Sequence, residues 1–258
     1  MAEEDRVSTQ KSRHIPDIAL VLAGGLGSRL RPVVSDRPKV LAPVAGRPFL
    51  EYVLWYIADQ GIHQVILCVG YLADQVKAFA GDGKKWGLEI LYSEEIVPLG
   101  TGGAVRQVSG SLTEPFFVMN GDTLFLANLQ ALWQVHTTAS ALGTLALFSA
   151  ERGEARGCVT LASDGKIISF EEKPDRVGQA FVNAGIYILE YEALGHLRPG
   201  ENASLERQVF PGLAAQGRLA GNVQAAYFTD IGTPESLAVF ENDVLAGKLP
   251  FFGGRLKV

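Results

Sequence analysis

Val21-Leu-Ala-Gly-Gly-Leu-Gly-Ser-Arg-Leu-Arg-Pro32, with Pro38-Lys39 close behind, decides how the rest of this chain is read. The apolar run Ile18 to Leu22 stops at Gly24, Gly25 and Gly27, the pattern of a buried strand that ends in a tight loop. Glycines let neighbouring backbone N–H groups turn inward together and form a concavity that favours anions. Arg29 and Lys39 set positive charge beside it. The simplest ligand for such a loop is a nucleotide polyphosphate.

Two familiar phosphate loops fit it badly. A P-loop needs a Gly-Lys-Ser/Thr ending, and Gly27-Ser28-Arg29 does not supply one. The dinucleotide fingerprint needs a further glycine where Leu30 stands. A glycine turn after a strand can also bind nothing. The clustering of Arg29, Arg31 and Lys39 favours an anion site, because a plain turn has no need of that charge.

Working outward, 258 residues with 47% hydrophobic content are ample for a core, as one large α/β domain or two small ones. The net charge of −5 argues against general nucleic-acid or anionic-membrane binding, which want a basic surface. Cys68 and Cys158 lie in apolar runs without metal spacing, which suggests buried thiols in a reducing compartment. No apolar segment reaches transmembrane length, and Met1 to His14 is polar and does not read as a signal peptide. A cytoplasmic location follows as the default, with residues 1–15 expected to form a disordered tail.

Periodicity predicts strands at Ile18 to Leu22, Val65 to Val69, Leu88 to Tyr92 and Phe116 to Met119. Helices are expected between them at Phe49 to Gln60, stopped by Gly61, and at Ala73 to Phe79. Such alternation implies a mostly parallel sheet with helices on both faces. Strands dominate later: Leu142 to Ser149, Cys158 to Leu161, Ile167 to Glu171 and Phe181 to Leu189, with a hairpin turn at Asp164-Gly165. No Pro/Ser-rich linker divides the chain, so residues 16–258 read as a single domain with a mixed sheet. No hexapeptide repeats follow Gly247, so no left-handed helical domain is expected.

Asn120-Gly121-Asp122 follows the apolar run Phe116 to Met119, and in an open α/β sheet ligands gather at the carboxyl ends of strands. Asp230 ends a second strand-like run, Gln224 to Thr229. Two carboxylates on different strand ends can converge on magnesium, which takes one or two carboxylates plus phosphate oxygens and water. Taken alone, Asp122 fits equally a turn residue, and Asp230 a helix N-cap near Thr233. Glu172-Lys173-Pro174 reads either as a solvated charged turn or as a sugar-phosphate contact, Lys173 meeting phosphate and Glu172 meeting hydroxyls. Gly185 weakens its strand unless another group approaches the backbone closely. Leu99-Gly-Thr-Gly-Gly-Ala104 opens a helix expected over Ala104 to Val108, with Thr101 available as its cap.

The run Leu22 to Leu54 resembles the opening signature of the sugar-1-phosphate nucleotidyltransferases: an apolar strand, a Gly-Gly-x-Gly-x-Arg loop, Pro-Lys, and a Pro-x-x-x-x-Pro segment entering a helix. Four further motifs recur in order, so the resemblance extends from about Pro16 to Gly247. Among the branches it looks most like the guanylyltransferases acting on D-glycero-α-D-manno-heptose 1-phosphate. The resemblance implies a Rossmann-like three-layer α/β/α nucleotidyltransferase domain with a mixed, mostly parallel central sheet. It implies that GTP and a sugar 1-phosphate react with magnesium to give a GDP-sugar and pyrophosphate, here a GDP-heptose for capsule, lipopolysaccharide or glycoprotein assembly.

The residue roles it implies are carried over motif by motif. Leu22, Ala23, Gly24, Gly25, Gly27 and Ser28 would hold the nucleotide with Gly100, Thr101, Gly102, Asn120 and Gly121, Arg29 facing the departing pyrophosphate and Lys39 the α-phosphorus. Gly121-Asp-Thr-Leu-Phe125 matches the family's Gly-Asp-x-Leu-Phe motif, making Asp122 and Asp230 the metal ligands. Glu172, Lys173, Asn183 and Gly185 would hold the sugar phosphate. Glu94 or Glu95 can accept both guanine N1–H and N2–H₂, and Glu94 is taken as that residue. Val33-Val34-Ser35 departs from the Leu-Thr pair of many relatives, which loosens assignment to the glucose or mannose branches. Mannose 1-phosphate with GTP is the nearest competitor, followed by uridylyl or thymidylyl transfer to other sugars. A silent nucleotide-sugar sensor and a nicotinamide enzyme are the readings from other classes; the retained charged residues and Leu30 weigh against them. Relatives often form dimers or tetramers, and no stretch of this sequence marks a contact surface.

Overall fold

Strand β1 (Ile18–Leu22) forms where the apolar run predicts it and stops as the glycines begin. Side chains alternate along a strand, so Ala19 and Val21 enter one apolar cluster while Leu20 and Leu22 face another. The computed structural model describes residues 14–27, 29–30, 34–150, 157–172, 180–249 and 252. After β1 comes a short ribbon, β2 (Pro43–Val44) and β3 (Arg47–Pro48), and then α1 (Phe49–Asp59). β4 (Gln64–Val69), α2 (Ala73–Ala80), β5 (Glu89–Glu94) and α3 (Gly100–Ser109) follow. The middle of the chain holds β6 (Phe116–Asn120), β7 (Thr123–Phe125), α4 (Leu129–Ala139) and β8 (Gly143–Ala150). Next are β9 (Cys158–Leu161), β10 (Ile167–Glu171) and β11 (Ala180–Leu189). The chain continues through α5 (Phe210–Ala215), β12 (Leu219–Val223), β13 (Phe228–Asp230) and α6 (Pro234–Leu245).

Among the described residues nine strands share one sheet. β5, β4, β1 and β6 lie side by side and parallel, and β11 then runs antiparallel to β6. β8 flanks β11 and carries β12 parallel beside it, while β9 and β10 continue from the first half of β11. Seven of the nine strands point one way, β10 and β11 being the exceptions. Helices α1, α4 and α6 bury Phe49, Tyr52, Leu132 and Phe240 against one face. α3 and α5 bury Val105, Val108, Phe210 and Leu213 against the other. This is the mixed, mostly parallel three-layer α/β/α arrangement expected, and each fully buried aromatic contributes about 1.5–3 kcal/mol to it.

Local chemistry ends the elements where they end. Gly61, at φ 79°, stops α1 in a conformation other residues strain to adopt. Asn128 caps α4 by accepting the Ala131 N–H at 2.9 Å, and Thr233 caps α6 in a reciprocal pair with Ser236. β11 pairs its first half with β9 and its second with β6, and its register to β8 slips between Asn183 and Tyr187. The slip surrounds Gly185, at φ 75°. β7 and β13 form a separate ribbon above the carboxyl edge of the sheet, with Asp230 opposite Thr123.

One expectation changes. The glycine segment before Ala104 is helical from Gly100, because the chain at Ala203 lies against it and accepts the Gly102 and Gly103 N–H groups at 2.8 and 3.2 Å. The tail expected over 1–15 falls outside the described residues except for exposed His14 and half-buried Ile15, which packs on the core. No described helix is long and apolar enough to cross a membrane.

Candidate active site

The loop after β1 crosses the carboxyl edge of the sheet, tied down by Ala23 N–H donating to Cys68 O at 2.8 Å. Gly27 sits at φ 58°, and a Cβ there would lie 2.9 Å from Lys39 Cβ, so glycine is required both for conformation and for space. Lys39 opens a one-turn helix, Lys39–Leu41, and its Nζ lies 2.6 Å from Asp122 Oδ2. Gly121 brings the ends of β1 and β6 together: its N–H donates to Leu22 O at 3.0 Å, and a Cβ would stand 2.6 Å from that oxygen.

A cavity of about 510 Å³ opens over this loop, walled by Leu22, Ala23, Gly24, Gly25, Gly27, Arg29, Lys39, Glu95, Gly100, Thr101, Asn120 and Asp122. A second, of about 670 Å³, adjoins it and is walled by Phe148, Glu172, Asn183, Gly185, Glu206, Phe228 and Asp230 among others. Arg29, Asn120, Asp122 and Gly232 line both. A ligand in each cavity would therefore meet at Asp122.

In the second cavity Asn183 Oδ1 accepts the Gly185 N–H at 2.9 Å, and its Nδ2 donates to the buried Tyr187 hydroxyl at 2.8 Å. A Cβ on Gly185 would lie 2.9 Å from Asn120 Nδ2, which is the close approach the strand glycine predicts. Asn120 Oδ1 is buried without a hydrogen-bond partner among the described residues, an acceptor left for a ligand or water. Phe148 and Phe228 stack at 4.1 Å and give this cavity an apolar wall.

Asp122 and Asp230 come together through the β7–β13 ribbon, with Ile231 N–H donating to Asp122 O at 3.0 Å. Asp230 Oδ1 accepts from Gly232 N–H at 2.5 Å and from Ser236 Oγ at 3.2 Å. Thr233, not Asp230, caps α6. The described residues hold no cluster of three or more His, Cys, Asp or Glu suited to a metal. Two hard carboxylates, Asp122 where the cavities meet and Asp230 in the wall of the second, nevertheless fit magnesium, whose remaining positions go to phosphate and water.

Glu94 needs correction as a base contact. It is exposed and pairs with Lys77 at 2.5 Å, because alternation along β5 turns it away from the cavity. Glu95 faces inward instead: its Oε2 accepts the Leu99 N–H at 2.8 Å, and a Cβ on Gly24 would stand 2.5 Å from its Oε1. Burial raises its carboxyl above the ordinary range, against the lowering effect of the Leu99 N–H. Thr101 is not the cap of α3; its hydroxyl accepts the Leu205 N–H at 2.9 Å and donates to Glu206 at 2.7 Å. Gly102 faces Ala203 and lies outside both cavities. Ser28 and Lys173 lie outside the described residues.

His136 is buried against Thr144 Oγ1 at 2.8 Å and His63 is an exposed partner of Asp17. Both cysteines are free, and burial pushes the Cys68 thiol up to about 12. Sequence reasoning passed over Phe148, Phe228, Glu206 and Ser236. Only the apolar character of the two phenylalanines gave any local sign, and it pointed to core.

A family model described as nucleotidyl transferase matches residues 18–247. Mannose-1-phosphate guanylyltransferase of Mycobacterium tuberculosis is 39% identical over 235 residues, 90% of this chain and 66% of that protein. This chain therefore spans just under two thirds of that relative's length. D-glycero-alpha-D-manno-heptose 1-phosphate guanylyltransferase of Aneurinibacillus thermoaerophilus is 39% identical over 223 residues, 84% of this chain and 94% of that protein. HddC from Yersinia pseudotuberculosis, solved complexed with GMP-PN, matches with a TM-score of 0.76 at 28% identity, over 88% of this chain and 99% of that one.

Proposed function

The chain belongs to the nucleotidyl transferase family, and within it we propose that it joins GTP to a sugar 1-phosphate, releasing pyrophosphate and a GDP-sugar. The observation that carries this is the pair of cavities meeting at Arg29, Asn120, Asp122 and Gly232, one floored by glycine backbone and the other walled by Glu172, Asn183, Gly185 and the Phe148–Phe228 pair. D-glycero-α-D-manno-heptose 1-phosphate is the preferred acceptor, supported by the Aneurinibacillus relative; the equal identity of the mycobacterial relative makes mannose 1-phosphate the second reading. Residues 16–258 act as one catalytic domain in the cytoplasm.

In this reading an oxygen of the sugar phosphate attacks the α-phosphorus in line as pyrophosphate leaves. The monoester is already largely ionised at neutral pH, so no strong general base is needed. The loop from Gly24 to Arg29 holds the triphosphate, with Arg29 on the leaving pyrophosphate. Lys39 stabilises charge growing at the α-phosphorus, and Lys173 anchors the incoming phosphate. Glu172, Asn183 and Gly185 orient the sugar, and Glu95 reads guanine. Asp122 and Asp230 would hold magnesium, which when bound supplies charge neutralisation between the two polyanions. The chain's own part is to place both substrates in line, which lowers the entropic barrier to their meeting.

The test is pyrophosphate release over a grid of nucleoside triphosphates and sugar 1-phosphates, including the heptose, mannose, glucose and N-acetylmuramate esters. The strongest signal is expected for GTP with the heptose ester. Silence across the grid, with GDP-sugar still bound, would make the chain a sensor and overturn the proposal.

A further inference from the structure

We propose that Glu206 accepts a hydroxyl of the sugar ring and that Thr101, in the nucleotide cavity, fixes its position, making the pair a determinant of sugar choice. This rests on the guanylyl transfer proposed above and adds a residue that none of the motifs marks.

Glu206 lies in the short helical turn Leu205–Val209, half-buried, with its carboxylate in the wall of the sugar cavity. Its Oε2 accepts two hydroxyls, Thr101 Oγ1 at 2.7 Å and Ser204 Oγ at 2.7 Å. Its Oε1 has no hydrogen-bond partner, and no cation pairs with the carboxylate, among the described residues. That oxygen is open to the cavity, where a ligand O–H can take the place of water as its donor. With no cation beside it among the described residues, this carboxylate suits the hydroxyl end of the substrate rather than the phosphate end, where like charge would repel it. Burial first, and the Glu206 charge second, push up the pKa of the Tyr187 hydroxyl, which also holds the Asn183 amide. Glu206 therefore stands beside the very strand contact assigned to the sugar.

Thr101 gives the position its rigidity. Its hydroxyl donates to Glu206 and accepts the Leu205 N–H, while Ala203 N–H donates to Leu99 O at 2.8 Å and Asn202 Nδ2 donates to Pro98 O at 2.9 Å. The segment carrying Glu206 is thus fastened to the start of α3, which walls the nucleotide cavity. One hydrogen bond joins a residue of each cavity.

The test uses the full chain with GTP, magnesium, mannose 1-phosphate and the heptose ester, together with 2-, 4- and 6-deoxy analogues of the mannose ester. Glu206→Gln should raise KM for the sugar phosphate about 10- to 100-fold, with KM for GTP within about 3-fold, as expected for one hydrogen bond to a charged acceptor. One deoxy analogue should be poor for the unaltered chain, and its penalty should vanish in Glu206→Gln, a readout that a structural role would not move. Thr101→Val should raise the sugar KM in the same direction, add little on top of Glu206→Gln, and be rescued by Thr101→Ser. Turnover by the unaltered chain with deoxy penalties unchanged in Glu206→Gln overturns this inference alone. No turnover by the unaltered chain with any sugar 1-phosphate overturns the proposed function and this inference with it.

Discussion

Lys39 Nζ, in the wall of the first cavity, meets Asp122 Oδ2, which lines both, at 2.6 Å across 83 residues of sequence. The Lys39 side chain is 11% exposed and that of Asp122 39%, so the ammonium is set deep while the carboxylate looks into the site. A buried cation here cannot be a solubility device. In the proposed reaction it sits where two anionic substrates approach each other, its charge oriented before either arrives.

Removing either member should therefore strike turnover rather than folding. Lys39→Met and Asp122→Asn are each expected to lower kcat at least about 10²-fold, the scale of one preorganised electrostatic group. Steady-state kinetics beside a thermal melt would check this. Near-normal kcat in either variant, with the fold intact, would remove that residue from the chemistry.

The residues that were legible in the sequence share a cause. Gly27 and Gly121 are marked by backbone needs that only glycine meets, and Asp122 follows a strand whose apolar run is unmistakable. Asp230 was legible as the end of a strand-like run, though its meeting with Asp122 depends on the β7–β13 pairing. Glu94 and Glu95 were not separable, because a period of two says that one of them faces inward but not which. The run Gly100 to Gly103 read as a loop because its glycines disfavour helix; their purpose is close backbone approach by Glu201 to Ala203, a contact about a hundred residues away in sequence. Glu206 had no local signal at all, since its meaning comes from Thr101, 105 residues earlier.

Glu95, rather than Glu94, should govern the choice of base. An ionised carboxylate can accept guanine N1–H and N2–H₂ together, which a pyrimidine cannot offer. Glu95→Gln keeps the acceptor for Leu99 N–H but loses one of these bonds, so the ratio of kcat/KM for GTP over UTP should fall about 10-fold or more. Glu94→Gln, on the Lys77 side, should leave that ratio where it was. An unchanged ratio in Glu95→Gln would end this assignment.

The same carboxylate should give GTP binding an acid limb. Burial raises the Glu95 pKa above its ordinary 4.5, so as pH falls it takes up a proton sooner than an exposed glutamate would. Its other near neighbours are the buried Cys68 thiol and the Gly24 and Gly70 backbone, which bring no opposing charge. Protonation turns one acceptor oxygen into a donor, so KM for GTP should rise toward acid pH. UTP carries the same phosphates and corrects for their titration. A GTP/UTP ratio that stays flat with pH would count against the role, as would an acid limb that survives in Glu95→Gln.

Gly185 should matter to both stability and the sugar site. At φ 75° an alanine is strained, and its Cβ would press on Asn120 Nδ2 at 2.9 Å. Gly185→Ala is expected to cost about 1–3 kcal/mol in urea denaturation and to raise the sugar-phosphate KM. Gly61→Ala has the same positive φ, at 79°, with nothing within 4 Å, so it should cost stability alone. Equal sugar KM values in the two variants would separate Gly185 from the site.

Asp230 provides the sharpest test of the metal assignment, because its carboxylate has two tasks that one substitution can divide. Its Oδ1 accepts from Gly232 N–H and Ser236 Oγ, which shapes the turn into α6, and the amide oxygen of an asparagine can accept the same bonds. What Asp230→Asn loses is the negative charge next to Asp122. If that charge serves only the turn, the variant should melt lower and respond to magnesium as before. If it serves the cation, the melt should be nearly unchanged while the magnesium concentration for half-maximal rate rises about 10-fold or more. Saturating magnesium should then restore part of the lost rate, since the affinity deficit is overcome by mass action. We expect the second pattern; a lower melt with an unshifted magnesium curve would return Asp230 to a purely structural part.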